Sequence, residues 1–571
     1  MNITKLAIDN NRLTLIAFLL IFLGGIQVFN QMPRDYDPGF IVRAAQVVTY
    51  FPGASPERVE QLISSKIEDV AKEIPELDFV TSESRTGVSV VIVNIKESYT
   101  EMRPIWDNLR RKIEDIEADL PSGTVGPFVN DEFGDVYGIV MTVTGDGLSY
   151  AELENITEDV KTQLQFVSEV AKIDILGKQD EIIYVEYNNS RLSELGLSSN
   201  QLSQILSARN IVLSGGAVNL GKETIALEPT GNFESIEDIG NTVIKSPKTN
   251  QVILLRDIAT IKRDYVDPPK SFVNSSGKTA LAVAISMRQG GNNILLGEMV
   301  KAEIEKFEQQ YPIGIEFDLI NFSPAEVDAK VKDFVNNLLQ AVLVVSAVML
   351  VSLGVRTGII VAILIPTTML LSLIVMDQFA IGLDQISLAA LIIALGMLVD
   401  NGIVMSENIM VEMKRGKSAI QAAIDSANEL KTPLMTASLT TSAAFLPIFL
   451  AESSVGEFTA SLFKVVTITL ICSWVISLTI IPLLCVYFMK VTPVEDKFDT
   501  PIYERYKSLL HWLLNNRSIT LIGTLVIFII VIKAATSLPS MFFPPSDRTY
   551  YKIEVTMPTG NSLEDTQSVL Q

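Results

Sequence analysis

Asp400 and Asn401 stand together in Ile386–Met405, a run otherwise composed of Ile, Leu, Ala, Val, Met, Gly and Ser. A carboxylate at the centre of a bilayer-length apolar segment costs roughly 2.5–3.5 kcal/mol on insertion scales, so it is read first as functional. The chemistry it offers is proton or ion exchange, with Asp400 as the titrating group and Asn401 as its hydrogen-bonding neighbour in the relay. The plain alternative is a structural hydrogen bond between helices. A buried carboxylate stays neutral unless a cation faces it. Arg356, Lys464, Lys490 and Lys533 all fall at the ends of apolar runs, so none of them lies at the depth of Asp400. Gly396, one turn before Asp400, either admits close helix approach or is simply tolerated there.

The elements that must hold this pair are membrane spans, each needing about 20 apolar residues. Seven runs qualify, near Leu13–Phe29, Leu338–Val355, Gly358–Met376, Ile386–Ser406, Pro433–Ala451, Val465–Met489 and Ile519–Ile532. Lys and Arg are concentrated in alternate short loops, which places the N-terminus in the cytoplasm and the long segment after the first span outside. The first span lacks a small-x-small cleavage site and reads as a retained anchor. Tyr503, Tyr506, Leu509, Leu510 and Leu513 suit an amphipathic helix over Phe498–Leu514, or an ordinary linker helix.

Composition agrees with a mixed membrane and aqueous architecture: 571 residues, 48% apolar, net charge -21. Residues 31–333 hold 48 Asp and Glu against 29 Lys and Arg, a balance of -19, so the outer segment carries nearly all the excess. Nucleic acid is an improbable partner for such a surface. Cys472 and Cys485 lie in one apolar run, more than three turns apart and on different sides of a helix, and do not pair. No phosphate loop, nucleophile elbow or metal-ligand spacing is present, and His511 has no ligand-like neighbours, so neither an enzyme nor a metal site is expected.

The outer segment reads as strand Ala45–Tyr50, a helix capped by Ser55 and running to about Lys72, strands Asp78–Glu83 and Ser89–Ile95, and helix Met102–Asp119. That order suits a split βαβ, ferredoxin-like unit. A second cycle begins at Val136–Val143, with a Gly-rich stretch over Ser190–Lys262 in which Ser214, Gly215 and Gly216 suit a hairpin. Near the end the pattern restarts. Asn10-Asn11-Arg12 recurs as Asn515-Asn516-Arg517, Pro33 as Pro539 and Pro52 as Pro558. Such a long parallel duplication suits a transporter. It also implies that the chain is the first half of a protein about twice as long, with residues 537–571 poorly ordered without the rest.

The segment Gly396–Asn408, with Tyr50-Phe51-Pro52-Gly53, Leu446-Pro447 and Ile481-Pro482-Leu483-Leu484-Cys485, resembles the resistance–nodulation–division (RND) superfamily, hydrophobe/amphiphile efflux branch, over the whole chain. The resemblance implies an inner-membrane homotrimer that exchanges protons for small amphiphilic or hydrophobic substrates. It implies a periplasmic adaptor protein and an outer-membrane channel as partners, and protons as the coupling ion with no other cofactor. It implies a docking hairpin at Ser214, Gly215 and Gly216, and a cation partner for Asp400 outside this half. Many drug pumps of the family carry a second aspartate where this chain has Asn401, which favours a single-carboxylate scheme. Leu176, and Val136 with Tyr137, occupy places of the family's drug-pocket phenylalanines and are weak substrate-pocket candidates.

The expected fold is therefore a membrane α-helical bundle, seven spans here and about twelve in full length, with a large α+β periplasmic domain of ferredoxin-like βαβ subdomains. Its divisions are 1–30, the first span; 31–130, a first porter subdomain; and 131–333, a second porter subdomain with a docking insertion over about 185–270. There follow 334–490, spans two to six; 491–517, a cytoplasmic linker helix; 518–536, the seventh span; and 537–571, the truncated repeat. Competing readings are an RND transporter of metal ions or lipids, an auxiliary of protein export, and a non-transporting scaffold or fragment.

Overall fold

The computed structural model describes residues 3–39, 41–132, 136–210, 217–219, 224–226, 232–248, 250–353, 355–490, 501–537, 551–558 and 560–570. A short helix, Ile3–Asp9, leads into α1 (Asn11–Gln31). The first α+β unit then contains β1 (Ala44–Tyr50), a helix that passes from Pro56–Val59 through a π turn at Glu60–Ser64 to Ser65–Ala71, β2 (Leu77–Arg85) and β3 (Val88–Ile95). It closes with α2 (Arg103–Asp115) and β4 (Val125–Asn130). The strands lie in the order β2-β3-β1-β4, with antiparallel neighbours. Alternation along β1 and β3 turns Ala45, Val47, Val91 and Val93 onto Ile63, Ile67, Trp106 and Leu109. Ser55 has the extended backbone of a cap residue, but its side chain makes no capping bond.

The second unit contains β5 (Ile139–Gly145), α3 (Tyr150–Leu164), β6 (Val170–Leu176), β7 (Glu181–Tyr187), β8 (Ala259–Tyr265), β9 (Lys278–Met287), α4 (Asn293–Gln310) and β10 (Ile315–Phe322). Ser149 and Glu152 form a capping box at the start of α3. β9 is central, paired with both β5 and β6, while β10 extends the sheet beyond β5. Leu281, Val283 and Ile285 of β9 pack with Leu153, Val160 and Leu164 of α3 and with Leu296, Val300 and Phe307 of α4. β7 and β8 form a separate antiparallel ribbon. Ser214, Gly215 and Gly216, expected as a docking hairpin, lie outside the described residues.

β10 runs directly into α5 (Ser323–Leu353), so the sheet of the second unit is joined to the membrane helices without a flexible connection. There follow α6 (Val355–Gln378), α7 (Gln385–Lys414), α8 (Ala419–Ala443), α9 (Ser454–Phe488), α10 (Pro501–Asn515) and α11 (Arg517–Ala535). Among the described residues six helices are long and apolar enough to cross a membrane: α1, α5, α6, α7, α9 and α11. The expected fifth span, Pro433–Ala451, is not one of them. Its helix α8 starts earlier, takes in Asp425, Glu429 and Lys431, and stops at Ala443; Leu446 and Pro447 fall in a separate short helix.

The membrane helices meet along two continuous cores. One joins Ile365, Met369 and Leu373 of α6 to Leu391, Ala394 and Leu398 of α7 and to Val465, Val466 and Leu470 of α9. The other joins Met405 and Ile409 of α7 to Ala422, Ala423 and Ala427 of α8 and to Ile476, Ile480 and Ile481 of α9. Close approach depends on glycine: a Cβ on Gly25 of α1 would stand 2.5 Å from Leu370 Cβ of α6. Cys472 and Cys485 are both buried and free. The helix expected over Phe498–Leu514 corresponds to α10, whose His511 is exposed.

Candidate functional site

α7 begins with a strong stop-start signal. Asp384 Oδ1 accepts the backbone N–H groups of Ile386 and Ser387, each at 2.8 Å, and Ser387 Oγ accepts the N–H of Asp384 at 2.8 Å. From this cap the helix continues unbroken to Lys414. At 1.5 Å per residue Asp400 lies about 24 Å along it, near its middle.

Asp400 and Asn401 face different ways, because successive helical residues are about 100° apart. Asn401 is buried, at 5% exposure. Its Nδ2 donates to Ser438 Oγ of α8 at 3.3 Å and to Ser473 Oγ of α9 at 3.2 Å. Ser473 Oγ donates in turn to the Leu398 carbonyl at 2.6 Å. Asn401 therefore ties three helices together behind Asp400. Nothing in the spacing of Ser438 or Ser473 marks them out in the sequence, beyond their being small polar residues in apolar helices.

Asp400 is exposed, in line with Ala389, Ile393, Gly396, Val404 and Glu407. Their spacing of three or four residues makes one stripe along α7. Among the described residues no cation pairs with Asp400. Gly396 shares the stripe, and a Cβ there would meet nothing within 4 Å. The close approach expected at Gly396 is thus not to any described helix. On the buried side of α7 the tip of Leu364 of α6 fills the space over Gly402, where a Cβ would stand 2.2 Å from Leu364 Cδ2.

The N-terminal end of α7 is stitched to the stretch that follows α1. Asp35 N–H donates to the Leu383 carbonyl at 3.1 Å, Leu383 N–H to the Pro33 carbonyl at 2.8 Å, and Gln385 N–H to the Tyr36 carbonyl at 3.2 Å. Gln385 Nε2 donates to Asp37 Oδ1 at 2.6 Å, and Asn293 Nδ2, at the start of α4, donates to Asp35 Oδ1 at 3.2 Å. Burial pushes the Asp384 carboxyl up to about 6; the Asp35 and Asp37 charges add to that, against the pull of the two capping N–H groups. Burial also raises Asp35 above the ordinary carboxylate range.

In the second α+β unit, Val136 is 72% exposed and Leu176, at the end of β6, is exposed. The Tyr137 hydroxyl donates to Asp174 Oδ2, two residues before Leu176 and on the same face of β6. The structure thus brings Tyr137 beside the Leu176 strand and leaves Val136 outward.

The sequence matches the AcrB/AcrD/AcrF family over residues 3–571. The chain belongs to this family. The RND resemblance carried by Gly396–Asn408 therefore holds for the chain as a whole. It is similar to multidrug resistance protein MdtC of Yersinia enterocolitica, 24% identical over 94% of this chain and 53% of that protein. It is similar to cation efflux system protein CzcA of Alcaligenes, 25% identical over 98% of this chain and 54% of that protein. It is also similar to swarming motility protein SwrC of Bacillus subtilis, 23% identical over 91% of this chain and 54% of that protein. The chain spans about half the length of the curated relatives it matches. As an RND family member with six apolar helices of membrane length among its described residues, it is a multi-pass membrane protein.

Proposed function

We propose that this chain carries the proton relay of an RND exporter of small amphiphilic or hydrophobic compounds. The observation that carries the reading is Asp400: a carboxylate midway along α7, on a stripe that no described helix covers, with Asn401 anchored in the bundle beside it. A helix from outside this chain, bearing a cation, seats on that stripe. Asp400 pairs with the cation when ionised and releases it when protonated. Each proton moving inward contributes about 2.3 kcal/mol per 100 mV of membrane potential. The exchange biases the helix packing behind Asp400, and through it the outer units.

In this reading the N-terminus is cytoplasmic and the large α+β region periplasmic, across a bacterial inner membrane. Three copies assemble, joined by a periplasmic adaptor and an outer-membrane channel. The drug-pocket role of Val136, Tyr137 and Leu176 and the docking role of Ser214, Gly215 and Gly216 belong to the same proposal. A cation cargo is the second reading, favoured by the similarity to CzcA. Donor chemistry weighs against it: among the described residues no group of three or more His, Cys, Asp or Glu could hold a metal ion.

The test is Asp400→Asn in the complete transporter, expressed in a pump-deficient host. The expected result is full accumulation of an amphiphilic dye at an unchanged membrane level of protein. Export at the parent rate refutes the relay.

A further inference from the structure

The membrane end of the first outer unit is bolted to the top of α9. Arg43 immediately precedes β1, and its carbonyl accepts the N–H of Ile95 at the end of β3 at 2.9 Å. Its guanidinium grips Glu457, in the first turn of α9, through both Nη atoms: Nη1 reaches Oε2 at 3.0 Å and Nη2 reaches Oε1. Nε donates to the Tyr99 carbonyl at 2.8 Å, and Nη1 also reaches the Ile41 carbonyl at 3.3 Å. The Arg43 side chain is 6% exposed and that of Glu457 28%. A second tie runs beside it. Glu97, two residues past β3, accepts the N–H of Ser454 at 3.1 Å and its hydroxyl at 3.0 Å. Those bonds hold the Glu97 carboxyl below the ordinary glutamate range.

The lower part of the same helix touches the relay. Ser473 of α9 receives Asn401 and donates to Leu398. It lies sixteen residues below Glu457, about 24 Å along the axis. Between the two there is no proline; the one proline inside α9 is Pro482, beyond Ser473. Val465, Val466 and Leu470 keep this stretch packed on Leu391, Ala394, Leu395 and Leu398 of α7. A close-packed helix of this kind moves as a unit rather than bending. A bidentate guanidinium–carboxylate pair passes such movement on, because its planar geometry resists rotation as well as separation.

We propose that α9 is the coupling rod of this transporter, and that Arg43 with Glu457 is the positioning clamp through which a change at the Asn401–Ser473 knot reaches the β1–β3 edge of the outer unit. The inference rests on the relay reading of Asp400 given above. Neither residue touches substrate or the exchanging proton.

The experiment is hydrogen exchange by mass spectrometry on the complete transporter in detergent. Asp400→Asn serves as the protonated state. In the parent background it changes exchange at residues 43–50 and 88–97 by at least threefold, and also around Ser473. In a Glu457→Gln background the change around Ser473 remains and the change at 43–50 and 88–97 disappears, with export down at least tenfold. Glu457→Asp, which keeps the charge, restores part of both. A purely structural pair would leave the Asp400-dependent response at β1 and β3 in place after Glu457→Gln; that result overturns the clamp. So does an inactive Asp400→Asn protein with no response at β1 and β3 in the parent background. Retained export by Asp400→Asn instead removes the relay reading, and the clamp with it.

Discussion

Replacing Asp384 with Asn tests the electrostatics of the junction that caps α7. The Asp384 carboxyl stands at about 6 in the fold, against 3.8 for the free side chain. Because the folded value lies above the unfolded one, the protonated form is the one the fold favours. The stabilisation is complete below about pH 4 and is lost as pH rises through 6. Integrated over that window it amounts to about 3 kcal/mol at 1.36 kcal/mol per pH unit. Asn caps helices as well as Asp does, and its oxygen can accept the Ile386 and Ser387 N–H groups without a charge facing Asp35 and Asp37. The assay is amide exchange in the first turn of α7, Ile386–Leu388, corrected for intrinsic rates, between pH 4.5 and 7.5. In the parent protein protection should fall by one to two orders of magnitude as pH rises. In Asp384→Asn it should stay high and nearly flat. A flat parent profile, or the same slope in both proteins, would refute the reasoning.

Other substitutions probe the helix packing. Asn401→Ala leaves the Ser438 and Ser473 hydroxyls without their shared donor and should cost about 1–2 kcal/mol, read as a lower thermal midpoint in detergent. Gly25→Ala forces a methyl into Leu370 of α6 and should cost about 1–3 kcal/mol, whereas Gly396→Ala in this chain, with open space around it, should be close to neutral; equal effects would contradict the packing described. Tyr137→Phe removes the bond to Asp174 and should lower the stability of the β5–β6 end by about 1 kcal/mol, seen as faster exchange at residues 170–176.

Much of the architecture was legible in the chain itself. Asp400 stands out because a carboxylate is costly in lipid, and that cost is a property of composition, independent of neighbours. The strands β1 and β3 and the helix α7 appear where alternation and the apolar run place them, since those are local preferences. Over the Pro433–Ala451 run, α8 draws its first half from a charged segment and ends at Ala443, just before Pro447, which lacks the N–H that a continuing helix would use.

What tertiary structure alone decided is the direction in which each residue faces. Sequence sets the 100° between Asp400 and Asn401; only the positions of α8 and α9 determine that Asn401 turns into the bundle and Asp400 onto the open stripe. The same phase turns Gly402 onto Leu364 of α6 and leaves Gly396 on the open stripe. Arg43 and Glu457 are 414 residues apart and each reads as an ordinary surface charge. They meet because the sheet fixes the end of β1 over the first turn of α9, a relation that no periodicity within either segment contains.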